Sequence, residues 1–223
     1  MPQRKVVLAT NEYYHVFNRS INKQPIFTKQ RDCDRALETI DYYRFEDPPI
    51  RLSYLLSFGQ DKRQEIINSL SHNNKLVEIV CFTLMPNHFH FLLRQNLDSG
   101  ISKFLALFQN SYTRYFNTKN TRQGHLFQGQ FKAVRIEDEE QLLHTNRYIH
   151  LNPYTSYVVK NAEELEQYHY SSFPLYLSDE KNPICDKQII LSHFRTIGQY
   201  KKFVFDQADY QRKLKDINHL ILE

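Results

Sequence analysis

Between Leu76 and Leu93 the chain writes two strands with almost no room between them. Leu76 to Leu84 (Leu-Val-Glu-Ile-Val-Cys-Phe-Thr-Leu) is rich in branched and aromatic residues and reads as a strand. Pro86-Asn87 makes a tight connection, and His88-Phe89-His90-Phe91-Leu92-Leu93 resumes with the period of two that a strand needs. So short a link leaves the two strands as antiparallel neighbours. Alternate strand side chains share a face. His88 and His90 therefore point one way, while Phe89, Phe91 and Leu93 point the other. Paired imidazoles on a rigid strand are a natural seat for a divalent metal.

The flanking pattern fixes the fold class. Tyr13 to Asn18 reads as a first strand, and Asp32 to Phe45 as a helix ended by Pro48-Pro49. Ile50 to Phe58 suits either a helix or a strand, and Asp61 to Leu70 a short helix. Ile101, Phe104, Leu105, Phe108, Tyr112 and Tyr115 follow one helical face, with Asp98 or Ser99 as its cap. Asn117 to Gly124 is a polar loop and Phe131 to Ile136 a further strand. Asp138 to Leu151 is a helix, acidic in its first turn as the macrodipole favours and stopped by Pro153. This order gives an α+β sandwich of the ferredoxin-like or split βαβ type. Residues after about Tyr168 are weakly patterned, with one helix expected within Phe194 to Tyr210.

Composition narrows the function classes. Five glycines in 223 residues argue against a glycine-rich phosphate loop. Three widely spaced cysteines, Cys33, Cys81 and Cys185, with no CxxC, argue against a disulfide framework or zinc knuckle. Cys81, inside an apolar run, reads as a buried thiol. Met1 to Thr10 shows no leader pattern and no apolar run is long enough to span a bilayer, so a cytoplasmic protein is expected. The net charge of +4 and 14% aromatic content lean toward a polyanionic partner.

The last predicted core helix carries a second constellation. Leu142, Leu143 and Ile149 should meet the core. Gln141, His144, Tyr148 and Asn152 form a polar stripe. Such a stripe is either a solvated face or a reactive one. In the reactive reading Tyr148 is a nucleophile and Asn152 a third metal ligand beside His88 and His90. A phenol with a pKa of about 10 is a weak nucleophile, and a metal that polarises a phosphate compensates for this. Two nitrogens and one oxygen accept Mg2+ or Mn2+, with imidazole favouring Mn2+.

Met85-Pro86-Asn87-His88-Phe89-His90 resembles the HUH motif of the single-tyrosine transposases, nearest to the REP-associated tyrosine transposases. Tyr14-His15-Val16-Phe17-Asn18-Arg19 is similar to the family's opening strand. Gly124 to Lys132 is similar to its lead-in to the last strand, and Tyr148-Ile149-His150-Leu151-Asn152-Pro153 to its tyrosine helix. The resemblance implies a ferredoxin-like (RRM-like) HUH nuclease fold, a central antiparallel sheet with helices. That domain would occupy residues 1–172, with an insertion at about 48–74 and a C-terminal helical appendage at 173–223. It implies a transposase/endonuclease that cleaves and rejoins single-stranded DNA, usually beside a hairpin, through a 5′-phosphotyrosine intermediate. His88, His90 and Tyr148 would be catalytic, and His88, His90 and Asn152 would hold the metal. His150 receives no role. A monomer acting in cis is favoured over a homodimer, at the nucleoid of a bacterial cell.

The expected DNA contacts are Arg19, Lys23, Arg94, Lys103, Arg114, Arg122, His125, Phe127, Lys132, Arg135 and Arg147. Arg19 and Arg94 would lie nearest the histidines, and Tyr112 and Tyr115 belong first to the core. Two other readings compete: a non-catalytic, domesticated binder of structured DNA or RNA, and a phosphoesterase that uses water as nucleophile.

Overall fold

The computed structural model describes residues 6–178 and 184–213. Four strands, β1 (Tyr13–Arg19), β2 (Val77–Met85), β3 (His88–Gln95) and β4 (Lys132–Arg135), form one sheet in the order β2-β3-β1-β4, every neighbour antiparallel. Between β1 and β2 run α1 (Gln30–Tyr43), α2 (Leu52–Leu55) and α3 (Gln60–Leu70). The ambiguous stretch after Ile50 is thus helical. α4 (Gly100–Lys119) joins β3 to β4, and α5 (Glu139–Thr155) follows β4. The α6 (Phe173–Leu177), α7 (Gln188–Leu191) and α8 (Ile197–Phe205) helices follow. This is the expected α+β, ferredoxin-like arrangement, with the sheet covered on both faces. No helix of the described residues is long and apolar enough to cross a membrane.

Strand alternation builds two cores. Tyr14, Val16, Phe89, Phe91 and Leu93 turn toward α1 and α4, where Phe104, Phe108 and Tyr112 join them. Burying each such ring removes roughly 1.5–3 kcal/mol worth of apolar surface from water. On the other face, Leu92 meets Leu142 and Ile149 of α5. A register shift between Ile79 and Cys81 turns both Val80 and Cys81 onto this second core, as a bulge does. Cys81 is a buried thiol, as expected.

Residues beyond 172, expected as an appendage, fill the second core. Phe173, Tyr176, Tyr200 and Val204 are fully buried in it. His150 lies at its centre, its Nδ1 2.6 Å from Tyr200 Oη and its Nε2 2.8 Å from Ser172 Oγ.

Several boundaries differ from expectation for local reasons. α1 ends at Tyr43, before the two prolines. Ser99 stands at the N-cap of α4 in a left-handed conformation and its side chain caps nothing. The buried Gln95 does so instead, its Oε1 accepting from Ile101 N at 3.2 Å. α4 runs to Lys119, into the stretch expected to be a loop. Pro153 does not stop α5, which continues to Thr155. A proline near a helix end costs the carbonyl one turn back its partner but leaves the remaining turn intact. Asn152 consequently keeps a regular helical position one turn beyond Tyr148.

Candidate active site

Strand register assembles the site. His90 pairs with Phe17 on one side and Thr83 on the other, and His88 pairs with Arg19 and Met85. Residues directly opposite in a sheet share a face. His15, Phe17 and Arg19 of β1 therefore stand beside His88 and His90 of β3, on the face that α5 covers. β1 is bonded on both sides, to β3 and β4, so this platform is rigid.

The rings are close. The His88 and His90 centroids lie 5.1 Å apart, His15 and His90 5.1 Å, and Phe17 and His90 5.5 Å. Tyr148 on α5 sets its ring 5.7 Å from both His90 and His15, edge-on to each. The Asp138 side chain starts α5 by accepting from Gln141 N at 2.7 Å, and Gln141 Oε1 accepts from Glu137 N at 2.7 Å. That reciprocal capping fixes the helix start, and the register then brings Tyr148 over the sheet. The ring is 39% exposed, whereas His90 is 6% and Asn152 0% exposed. A cleft of about 680 Å³ opens here, lined by Arg19, His88, His90, Lys132, Tyr148 and Asn152 among others.

Burial holds Tyr148 and His15 in their neutral forms. Burial raises the Tyr148 phenol above its ordinary value, and a hydrogen bond with Asn152 and the Arg19 charge pull partly against it. Burial lowers His15 to about 4, so it is neutral at physiological pH. Nδ1 of His88 lies 2.7 Å from Asn87 Oδ1, and Nδ1 of His90 lies 2.9 Å from His15 Nε2.

This donor set suits a divalent ion of mixed nitrogen and oxygen preference. A ligating imidazole nitrogen sits about 2.1 Å from a metal, which places two rings on one ion with centroids about 5 Å apart, the spacing seen for His88 and His90. Among the described residues, no three His, Cys, Asp or Glu side chains converge to hold an ion by themselves. Asn152 adds an amide to the lining of the same cleft.

The polar stripe on α5 divides. Tyr148 and Asn152 line the cleft. Gln141 is spent on capping, and His144 contacts Arg147 at 2.6 Å. The expected DNA contacts divide too. Arg19 and Lys132 line the cleft, and Lys23 stands exposed nearby, its carbonyl accepting from Asn87 Nδ2. Arg94 shares the histidine face but sits at the far end of β3, bonded to Asn11. Arg135 is turned to the opposite face, in register with Tyr14, and pairs with Glu12 at 3.0 Å. Arg114 lines a separate groove of about 730 Å³ with Arg31, Arg35 and Arg51, between α1, α2 and α4, behind the sheet. Lys103 is exposed on α4, and His125 is exposed in the loop that Arg122 braces by bonding Asn117 and the His125 carbonyl.

Two expected contacts are corrected. Phe127 is buried against Phe27, Phe89, Phe108 and Tyr112, so it packs the first core rather than presenting a face to a base. Arg147 is buried against the Phe203 ring at 4.4 Å and donates to the Phe203 carbonyl, joining α5 to α8. A guanidinium's flat faces make such packing favourable.

Sequence reasoning gave no role to His15. The signal was present: His15, Phe17 and Arg19 alternate with the buried Tyr14, Val16 and Asn18. Only the β1–β3 pairing shows that this less buried set adjoins the histidine pair.

Residues 51–152 match the family model described as IS200-like transposase. A solved structure of a REP-associated tyrosine transposase bound to a REP hairpin shares the fold with a TM-score of 0.57 at 15% identity, covering 82% of this chain and 90% of that one. No curated protein sequence matches. The chain is thus similar to the IS200-like transposases over residues 51–152, and it shares the fold of a REP-associated tyrosine transposase.

Proposed function

We propose that the protein is a metal-dependent transposase that cleaves and rejoins single-stranded DNA through a 5′-phosphotyrosine intermediate. The observation that carries this reading is the meeting of the Tyr148 phenol with the His88/His90 pair in one cleft, above Asn152. The family match and the shared fold support it. The relative solved with a REP hairpin makes a hairpin-bearing strand the substrate to test. In this reading phenol and imidazoles come from the same chain, with the protein acting in cis as a monomer. A DNA substrate is consistent with the cytoplasm, at the nucleoid of a bacterial cell.

In this mechanism Arg19 and Lys132 hold the backbone phosphates of the strand in the cleft. Tyr148 Oη approaches the scissile phosphorus from α5. The Oη–P bond forms as the P–O3′ bond breaks, the phenolic proton passes to water, and the 3′-oxygen leaves as a hydroxyl after taking a proton from solvent. The 5′-phosphate stays on Tyr148, and a 3′-hydroxyl of the same or another strand reverses the step without ATP. His88, His90 and Asn152 would hold Mg2+ or Mn2+, which supplies charge stabilisation at the phosphate under attack. Burial keeps the Tyr148 phenol protonated at physiological pH.

The test is a covalent adduct. The full-length protein is incubated with hairpin-bearing single-stranded DNA and Mn2+, then resolved on a denaturing gel. The wild type should form an adduct that Tyr148→Phe abolishes and that His88→Ala or His90→Ala cuts at least about 100-fold. An adduct with Tyr148→Phe rejects the nucleophile. Cleavage without any adduct supports water as nucleophile, and tight binding without cleavage supports the domesticated binder.

A further inference from the structure

We propose that His15 is a positioning residue that fixes the ring and tautomer of His90 for metal binding. The inference rests on the reading of His88 and His90 as a metal-holding pair. His15 Nε2 lies 2.9 Å from His90 Nδ1, and the two rings are nearly parallel, 23° apart. One nitrogen must donate and the other accept.

If His15 donated, His90 would carry its own proton on Nε2 and have no lone pair there for an ion. If His15 accepts, His90 holds its proton on Nδ1 and turns the Nε2 lone pair outward. The same logic holds at the neighbouring ligand. Asn87 Oδ1, an acceptor only, lies 2.7 Å from His88 Nδ1, which must donate to it. Two ligands thus have Nδ1 engaged by an acceptor from outside the pair, the usual second layer of an imidazole metal site. His15 is well placed for the task. It stands on the inner strand β1, between Tyr13 and Phe17 on the same face, with Tyr148 edge-on at 5.7 Å. Its backbone is pinned on both sides, so the acceptor cannot drift.

The experiment reads Mn2+ affinity by electron paramagnetic resonance on the full-length protein without DNA, with thermal melts of each variant in parallel. His15→Phe and His15→Ala remove the acceptor and should weaken Mn2+ binding about 10–100-fold. His15→Gln restores an acceptor at the position of the imidazole Nε2 and should stay within about threefold of wild type. Wild-type affinity in His15→Phe or His15→Ala overturns the proposal. So does a loss in His15→Gln as large as in His15→Ala, because packing alone would then explain the effect. His88→Ala separates the two levels. If it retains Mn2+, or the wild type binds none, the histidine-pair reading fails and this inference with it. If His88→Ala loses Mn2+ while His15→Phe keeps it, only the role of His15 fails.

Discussion

His150 should make the fold acid-sensitive. Its imidazole is fully buried between Tyr200 and Ser172, where no acidic group among the described residues compensates a positive charge. Tyr200 spends its proton on Asn146 Oδ1 at 2.8 Å, so His150 Nδ1 donates to Tyr200 and its Nε2 accepts from Ser172. That arrangement belongs to the neutral ring, and burial lowers its pKa to about 3. In the unfolded chain the same imidazole titrates near 6.5. Its contribution is therefore fully present above pH 6.5 and is lost as pH falls from there toward 3, because only the unfolded state takes up the proton. At about 1.4 kcal/mol per pH unit, stability at pH 5 should fall by about 2 kcal/mol through this residue. The assay is urea unfolding of wild type and His150→Gln at pH 7.5 and pH 5. The variant will be less stable at both, but the wild type should lose about 2 kcal/mol more than the variant between them. His15 is lowered in both proteins and cancels in the difference. Parallel losses would show that the folded protein protonates His150 readily, and the account of the network would be wrong.

Other outcomes follow from packing and charge. Gly100→Ala should destabilise by about 1–3 kcal/mol in urea melts, because an added Cβ would sit 2.1 Å from the Leu76 carbonyl oxygen. Phe127→Ala should cost about 3–5 kcal/mol, and Arg147→Ala about 1–3 kcal/mol. For both variants, single-strand affinity of the folded protein measured by fluorescence anisotropy should be unchanged, and a selective loss of DNA binding would reinstate them as contacts. Arg19→Ala and Lys132→Ala should each weaken single-strand binding and lower the slope of log affinity against log salt by about 0.7. An unchanged slope would remove that side chain from the phosphate track.

Much of this protein is written locally. The β2–β3 hairpin, the inward face of Phe89, Phe91 and Leu93, the helical stripe of α4 and the acidic start of α5 all follow from periods of two and 3.6. Those periods involve only neighbours in sequence, so the chain alone determines which residues share a face. It determined that His88 and His90 stand together, and that Tyr148 and Asn152 lie a turn apart on one helix. Tertiary structure decided what each face meets. Strand pairing put His15 against His90, because register across 75 residues of chain is set by the whole sheet rather than by local pattern. The same dependence on distant partners buried Arg147 under Phe203 and Phe127 among the first-core aromatics, two side chains whose types suit a DNA surface equally well. Pro153 reads locally as a stop, yet α5 passes it, packed into the second core alongside Tyr200 and Val204 of α8. Side-chain chemistry was legible from sequence; its neighbours were not, because burial is a property of the packed chain and not of the residue.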